Sequence, residues 1–147
     1  IDIIKGLTSG EYFEFHGEFY DIPKTKMTPA PTKPIPILVG GHAEAALKRA
    51  ARCDGWMHGG GQPEELDRLI KRLNQIREEE GHTGPFEIHV ISLDAFTLDG
   101  IKRLEDKGVT DVIVGFRIPY IMGQDTEPLD NKIRNLEKFA ENVIAKL

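Results

Sequence analysis

The sequence predicts an α/β fold, with half of a (β/α)8 TIM barrel as the leading architecture and a small open doubly wound sheet as the alternative. Short apolar runs alternate with amphipathic helical patterns four times between residues 34 and 147. This alternation favours parallel strands joined by helical crossovers. The chain has 147 residues, whereas a complete barrel needs about 250. A long excursion also precedes the first unit, and insertions of this kind are common between barrel units.

Four segments carry the strand pattern and four carry the helix pattern. The predicted strands are Ile35–Val39, Asp54–His58, Phe86–Leu93 and Val109–Phe116. The predicted helices are Ala43–Arg52, Pro63–Glu80, a segment capped by Thr97 and ended by Gly108, and a final helix from about Pro128 to Leu147. The second helix has a regular apolar stripe, made of Leu66, Leu69, Ile70, Leu73 and Ile76. The last helix is expected to turn its apolar side chains inward, namely Leu129, Ile133, Leu136, Ala140, Val143, Ile144 and Leu147.

Residues 1–33 form a separate region in front of the four units at 34–147. Its first residues have the apolar spacing of a helix end, and Gly10 suits a left-handed stop. The aromatic segment Glu11–Ile22 predicts a hairpin in which Gly17 takes a positive φ. Pro23–Pro36 holds five prolines and predicts a stiff connector. Because the chain begins at Ile1 rather than Met, we expect further sequence upstream.

Composition excludes several classes of function. The net charge of −5 argues against binding to a nucleic-acid backbone. No apolar run approaches the roughly 18 residues of a membrane span, and no signal peptide is visible. The single cysteine, Cys53, excludes an internal disulfide and fits a cytoplasmic protein. The P-loop, dinucleotide-binding and nucleophile-elbow motifs are absent. The five histidines show no H-E-x-x-H or other ligand spacing, so we predict no metal site. The partner that we predict is a small-molecule substrate.

Two glycine-rich segments at predicted strand ends are the candidate site. The first is Gly40, Gly41, His42 and Ala43, and the second, one unit later, is His58, Gly59 and Gly60. Glycines let a backbone approach a ligand closely, and a helix N-terminus offers unpaired N–H groups to an anion. Neighbouring loops of a barrel meet on one face, so both segments are predicted to contact one phosphate group. Trp56 is interpreted as a pocket or core residue, and His89 as a packing residue.

Two stretches carry a family resemblance. The segments GEFYDIP and TPAPTKPIPILVGGHAEAALKRAARCDGWM are similar to the bacterial luciferase-like monooxygenases, particularly the coenzyme F420-dependent group. One departure is Cys53, where the family often has glycine. The resemblance implies the C-terminal half of the barrel, holding the phosphate of reduced FMN or F420 at the two glycine-rich segments. It implies no catalytic residue here, because the family's substrate and ring contacts come largely from the first half of the barrel.

The resulting hypothesis is a fragment of a flavin- or F420-dependent oxidoreductase or monooxygenase that is inactive as this chain alone. The alternatives are a non-catalytic phosphate- or cofactor-binding half-barrel that needs a partner, and a sugar-phosphate enzyme of β/α type. A half-barrel leaves its first and last strands as open edges and exposes inner side chains such as Ile37, Val39 and Ile113. We therefore predict association with a second copy or with the missing half of the barrel.

Overall fold

The computed structural model describes residues 1–116 and 123–147. Within them the chain divides into two compact units, residues 1–36 and residues 37–147. None of the described helices is both long and apolar enough to cross a membrane.

The first unit contains one short helix and one hairpin. Helix α1 spans Asp2–Thr8, and strands β1 (Phe13–His16) and β2 (Asp21–Thr25) pair antiparallel. The predicted hairpin is therefore confirmed, but two details differ. Gly17 does not take the predicted positive φ; its N–H instead donates to the Tyr20 carbonyl over 2.9 Å to close the turn. Pro23 lies inside β2, so the connector begins only after this strand.

The second unit is a parallel sheet with helices between its strands. The strands are β3 (Leu38–Gly40), β4 (Gly55–His58), β5 (Glu87–Ile91) and β6 (Asp111–Ile113). The helices are α2 (Glu44–Ala51), α3 (Pro63–Glu79), α4 (Leu98–Asp106) and α5 (Leu129–Asn142). Short 3-10 turns occupy Leu93–Phe96 and Ile144–Lys146. The turn at Leu93–Phe96 was not predicted, and it replaces the end of the longer strand expected there.

The order of the strands distinguishes the two predicted architectures. The sheet runs β3-β4-β5-β6, the order of the sequence, and all three pairings are parallel. A doubly wound sheet reverses its strand order at a switch point, and this sheet does not. The buried side chains of α2, α3 and α4 form one cluster with the sheet residues Trp56, Ile88 and Val90. The fold is thus compatible with half of a TIM barrel, with α2, α3 and α4 on one face of the sheet.

The strands are shorter than the sequence predicted. Ile35 is exposed, and β3 begins only at Leu38. The final strand ends at Ile113 rather than Phe116. Val39 lies against the helix-side core instead of the inner face where it was predicted. Apolar composition alone does not mark these limits, because proline lacks an N–H for the ladder and an apolar side chain can also lie beyond a strand end.

Helix α3 confirms its prediction and α5 does not. All five apolar stripe residues of α3 are buried. In α5 and the turn after it, the predicted inward residues Leu129, Ile133, Leu136, Ile144 and Leu147 are exposed, and of the seven only Val143 is fully buried. Phe139 instead anchors α5, with its ring 5.9 Å from Phe96 and 5.7 Å from Phe116. The periodicity identifies the apolar face correctly, but no described element covers most of it.

Candidate functional site

Two glycine loops follow neighbouring parallel strands. The first glycine loop, residues 40–43, joins β3 to α2, and the second glycine loop, residues 59–62, joins β4 to α3. The register pairs Gly40 with Met57, so both strands end at the same edge of the sheet. The structure therefore brings the two predicted segments together, as a parallel sheet requires.

Glycine is needed for backbone reasons at some positions of these loops but not at others. Gly41 has φ +119° and Gly60 has φ +97°, values that side-chain-bearing residues rarely adopt. A Cβ on Gly41 would also lie 2.9 Å from the Ala46 Cβ. Gly59 has neither constraint, because it lacks a positive φ and a Cβ there would meet nothing within 4 Å. The space above Gly59 is open to a ligand.

Trp56 holds the first glycine loop in place. Its side chain is fully buried in the core, and its indole N–H donates to the Gly41 carbonyl over 2.9 Å. The sequence left open whether this residue lines a pocket or packs. The structure assigns it to the core, with its polar edge directed at the loop.

His42 and His58 lie against each other although 16 positions separate them in the chain. Their rings stack with centroids 4.5 Å apart and planes 6° from parallel. His42 is half-buried, and its Nδ1 lies 3.4 Å from Glu65 Oε1 on α3. Trp56 lies beside both rings, with its centroid 5.4 Å from that of His58. The predicted site histidines thus form one cluster with a carboxylate.

His58 is the buried member of this cluster. It is only 2 % exposed, and its Nε2 atom has no hydrogen-bond partner among the described residues. Gly60 N–H donates to its Nδ1 over 3.3 Å, so the neutral ring carries its proton on Nε2. Burial lowers the pKa of His58 below its ordinary value of 6.5, and nearby His42 lowers it further, while Glu65 opposes the shift. His58 therefore presents a neutral N–H donor that lacks an acceptor.

The N-termini of α2 and α3 also face these loops without side-chain caps. Ala43 and Gln62 occupy the cap positions, and neither forms a capping hydrogen bond. Two carboxylates lie near these helix N-termini, but positively charged side chains offset their negative charges. Arg72 donates to Glu44 at 2.6 Å and lowers the pKa of that carboxyl. Glu65 lies close to His42 and 3.9 Å from Arg68. Unpaired backbone N–H groups at a helix N-terminus favour a bound anion.

The same cluster also meets the distance requirement of a metal site. Ligand atoms of His42, His58 and Glu65 all lie within 4.8 Å of one another, a grouping that the sequence did not predict. Its geometry nevertheless favours a hydrogen-bond acceptor. The parallel, stacked rings direct their in-plane lone pairs side by side instead of at one point, and the buried Nε2 of His58 lacks only a hydrogen-bond acceptor.

Glu65 is the site residue that the sequence analysis missed. It lies in the first turn of α3, where an acidic residue is common because it complements the helix dipole. Nothing in its local pattern separated that role from contact with a histidine 23 positions earlier. The predicted packing residue His89 proves to be polar in its contacts, lying 2.9 Å from Glu87 and 3.2 Å from Asp111.

Comparison with known proteins identifies similar sequences. The model of a family described as luciferase-like monooxygenase matches residues 1–134. Uncharacterized proteins of Mycobacterium bovis and Mycobacterium tuberculosis are each 80% identical over 147 residues, which is 100% of this chain and 51% of each relative. An F420-dependent glucose-6-phosphate dehydrogenase of Nakamurella multipartita is 32% identical over 84 residues, 55% of this chain and 25% of that protein. The chain spans about half the length of the mycobacterial relatives.

Proposed function

The chain belongs to the luciferase-like monooxygenase family, and on this premise we propose that its two glycine loops bind the phosphate group of FMN or coenzyme F420 within an oxidoreductase. The observation that carries the proposal is the buried, unpartnered N–H of His58 between these loops. A buried donor without an acceptor costs free energy, and a phosphate oxygen would satisfy it. The N. multipartita relative, which is named F420-dependent, favours F420 of the two cofactors.

Each part of the site has a distinct role in this proposal. The uncapped N-terminus of α2 supplies backbone N–H groups to the phosphate, since Ala43 provides no competing side-chain acceptor. His42 lies over His58 and is oriented by Glu65. The second glycine loop covers the Nε2 donor of His58. The positive-φ glycines of this loop, Gly60 and Gly61, allow the loop to move when a phosphate oxygen enters. The bound cofactor supplies the hydride chemistry, and the chain supplies binding and orientation.

Gly59 offers the sharpest test of the phosphate site. We expect Gly59→Val to fold normally, because no backbone or side chain opposes a Cβ there. The added side chain fills the open space above the loop. Binding of FMN, of F420 and of inorganic phosphate should weaken about tenfold or more, because the valine side chain displaces the phosphate from at least one hydrogen-bond donor of the loops. Titrations followed by backbone amide NMR shifts in residues 40–46 and 58–62 measure this directly.

Gly84→Val is the matched control, since Gly84 also lacks a positive φ and close neighbours. It should leave phosphate binding unchanged. Gly41→Val is a poorer test because its φ of +119° adds backbone strain to any loss of contact. Unchanged affinity in Gly59→Val, with the fold intact by circular dichroism, would show that the phosphate does not bind here.

The activity of the whole protein is part of the same proposal. We expect this chain to bind the phosphate group without catalysing substrate turnover, because it supplies only one part of the wall of a cofactor pocket. Incubation of the purified chain with FMN or F420, each in its oxidised and in its reduced form, and candidate substrates should give no turnover above the cofactor-only control. Turnover by the chain alone would contradict this expectation. If the chain binds inorganic phosphate as tightly as it binds FMN and F420, the result would favour the alternative of a non-catalytic phosphate-binding half-barrel.

A further inference from the structure

The carboxylate of Glu65 lies beside the donor that we assign to the phosphate group. One of its oxygens lies within 4.8 Å of a ring nitrogen of His42 and of a ring nitrogen of His58. A Cβ built on Gly61 would be 2.8 Å from Glu65 Oε2 and 3.6 Å from His58 Nε2, so both atoms lie against the same glycine. A phosphate that accepts a hydrogen bond from His58 Nε2 therefore comes close to a negative charge.

The negative charge of Glu65 is offset less completely than that of Glu44. Arg72 donates to both carboxylate oxygens of Glu44, over 3.1 Å and 2.6 Å. Among the described residues, the ion-pair partners of Glu65 are His42, at 3.4 Å, and Arg68, at 3.9 Å. His42 is cationic only when protonated, and the Arg68 side chain is 69 % exposed, so that solvent screens its charge. A negative potential therefore remains beside the phosphate site.

The glycine loops themselves offer donors that carry no full positive charge. In residues 1–116 and 123–147, no lysine or arginine side chain bonds to residues 40–43 or 59–62. The available donors are backbone N–H groups, including those at the uncapped N-terminus of α2, and the buried N–H of His58. Such donors favour an anion, but they do not neutralise several negative charges.

The two candidate cofactors differ in the charge of the group that would bind here. FMN carries a phosphomonoester, whose second pKa of about 6 leaves it with close to two negative charges at pH 8. Coenzyme F420 carries a phosphodiester, which has a single ionisable oxygen and therefore one negative charge. The charge balance of the site thus bears on the choice between them.

We propose that Glu65 makes this site selective for a singly charged phosphodiester, as in F420, over a doubly charged phosphomonoester, as in FMN. The inference rests on the proposed phosphate site. The N–H donors offset the repulsion from Glu65 on one negative charge, whereas a second negative charge meets the same repulsion without a further cation to balance it. Like charges a few ångströms apart near a protein surface repel strongly enough to weaken binding about tenfold or more.

The test uses dimethyl phosphate and methyl phosphate as probes, because they differ in charge and carry neither a ring nor a tail. Titrations at pH 8 are followed by the backbone amide NMR shifts of residues 40–46 and 58–62, at constant ionic strength because salt screens charges. The parent chain should bind dimethyl phosphate about tenfold more tightly than methyl phosphate. Glu65→Gln should remove this preference, because it strengthens the binding of methyl phosphate about tenfold more than that of dimethyl phosphate.

Glu78→Gln is the matched control. It makes the same charge change on the same helix, 13 positions further along α3 and so about 20 Å away. This variant should keep the preference of the parent chain. The cofactors should follow the two esters, so that Glu65→Gln raises the affinity for FMN more than the affinity for F420.

The possible failures separate this proposal from the phosphate site on which it rests. Binding of methyl phosphate by the parent chain as tightly as dimethyl phosphate, or more tightly, would overturn the selectivity and leave the phosphate site standing. An equal gain for both esters in Glu65→Gln would also overturn it, because Glu65 would then be a competing acceptor for the N–H donors. If neither ester shifts the amides of the two loops, the phosphate site and the selectivity are both wrong.

Discussion

The indole N–H of Trp56 donates to the carbonyl oxygen of Gly41 across 2.9 Å. This bond joins the centre of the hydrophobic core to the turn that begins the candidate phosphate site. Gly41 has φ +119°, one of many backbone conformations that are open to glycine, so its contacts select among them. The core therefore determines the position of the first glycine loop, and changes in the core should alter the site.

We expect Trp56→Phe to lower the free energy of unfolding by about 1–3 kcal/mol, since the Gly41 carbonyl loses its donor and the smaller ring leaves space. Phosphate binding at residues 40–43 should weaken in the same variant. Urea unfolding must be followed by circular dichroism, because Trp56 is the only tryptophan. Unaltered stability together with unaltered amide shifts at Gly41 would contradict a supporting role for the indole.

His58 should make stability depend on pH. Its pKa in the folded chain lies below 6.5 because of burial, so the unfolded chain takes up this proton more readily. The contribution of neutral His58 to the free energy of unfolding is then fully present above about pH 6.5 and is lost as the pH drops toward the folded-state pKa. The urea midpoint of the parent chain should decrease faster on acidification than that of His58→Gln. Parallel pH profiles for the two proteins would disprove this contribution.

Two leucines should respond differently to the same truncation. Leu69 on α3 is 1 % exposed, whereas Leu136 on α5 is 56 % exposed. Leu69→Ala should cost about 2–5 kcal/mol through lost burial and a cavity. Leu136→Ala should stay within about 0.5 kcal/mol of the parent chain, as surface substitutions usually do. Chemical unfolding compares the pair, and similar losses in both would mean that α5 is covered in solution.

Thr97 should stabilise the start of α4. Its hydroxyl oxygen accepts a hydrogen bond from Gly100 N–H over 3.1 Å. Thr97→Ala should therefore lower stability by about 1 kcal/mol, the typical cost of losing such a cap, and Thr97→Ser should retain most of it. Thermal unfolding distinguishes the two variants. An equal loss in both would assign the effect to the methyl group and not to the cap.

Several features followed from the sequence because their signals are local. The five-residue stripe of α3 repeats at helical spacing from Leu66 to Ile76, and Pro63 marks the start of the helix. The alternation of strand and helix required parallel pairing, and parallel pairing placed both glycine loops at one edge of the sheet. The Thr97 cap depends on residues only three positions apart. In each case the physical cause lies within one element or in the connection between two.

Other features depended on contacts between elements and were decided only by the tertiary structure. The stacking of His42 on His58, the approach of Glu65 and the burial of His58 arise where two loops and α3 meet. Likewise, the apolar periodicity of α5 marks a face without showing whether anything covers it. Periodicity records which side chains share a surface, whereas burial depends on the neighbouring elements. For that reason the sequence determined the glycine loops, and the tertiary structure alone decided that His58 would be a buried donor without a partner.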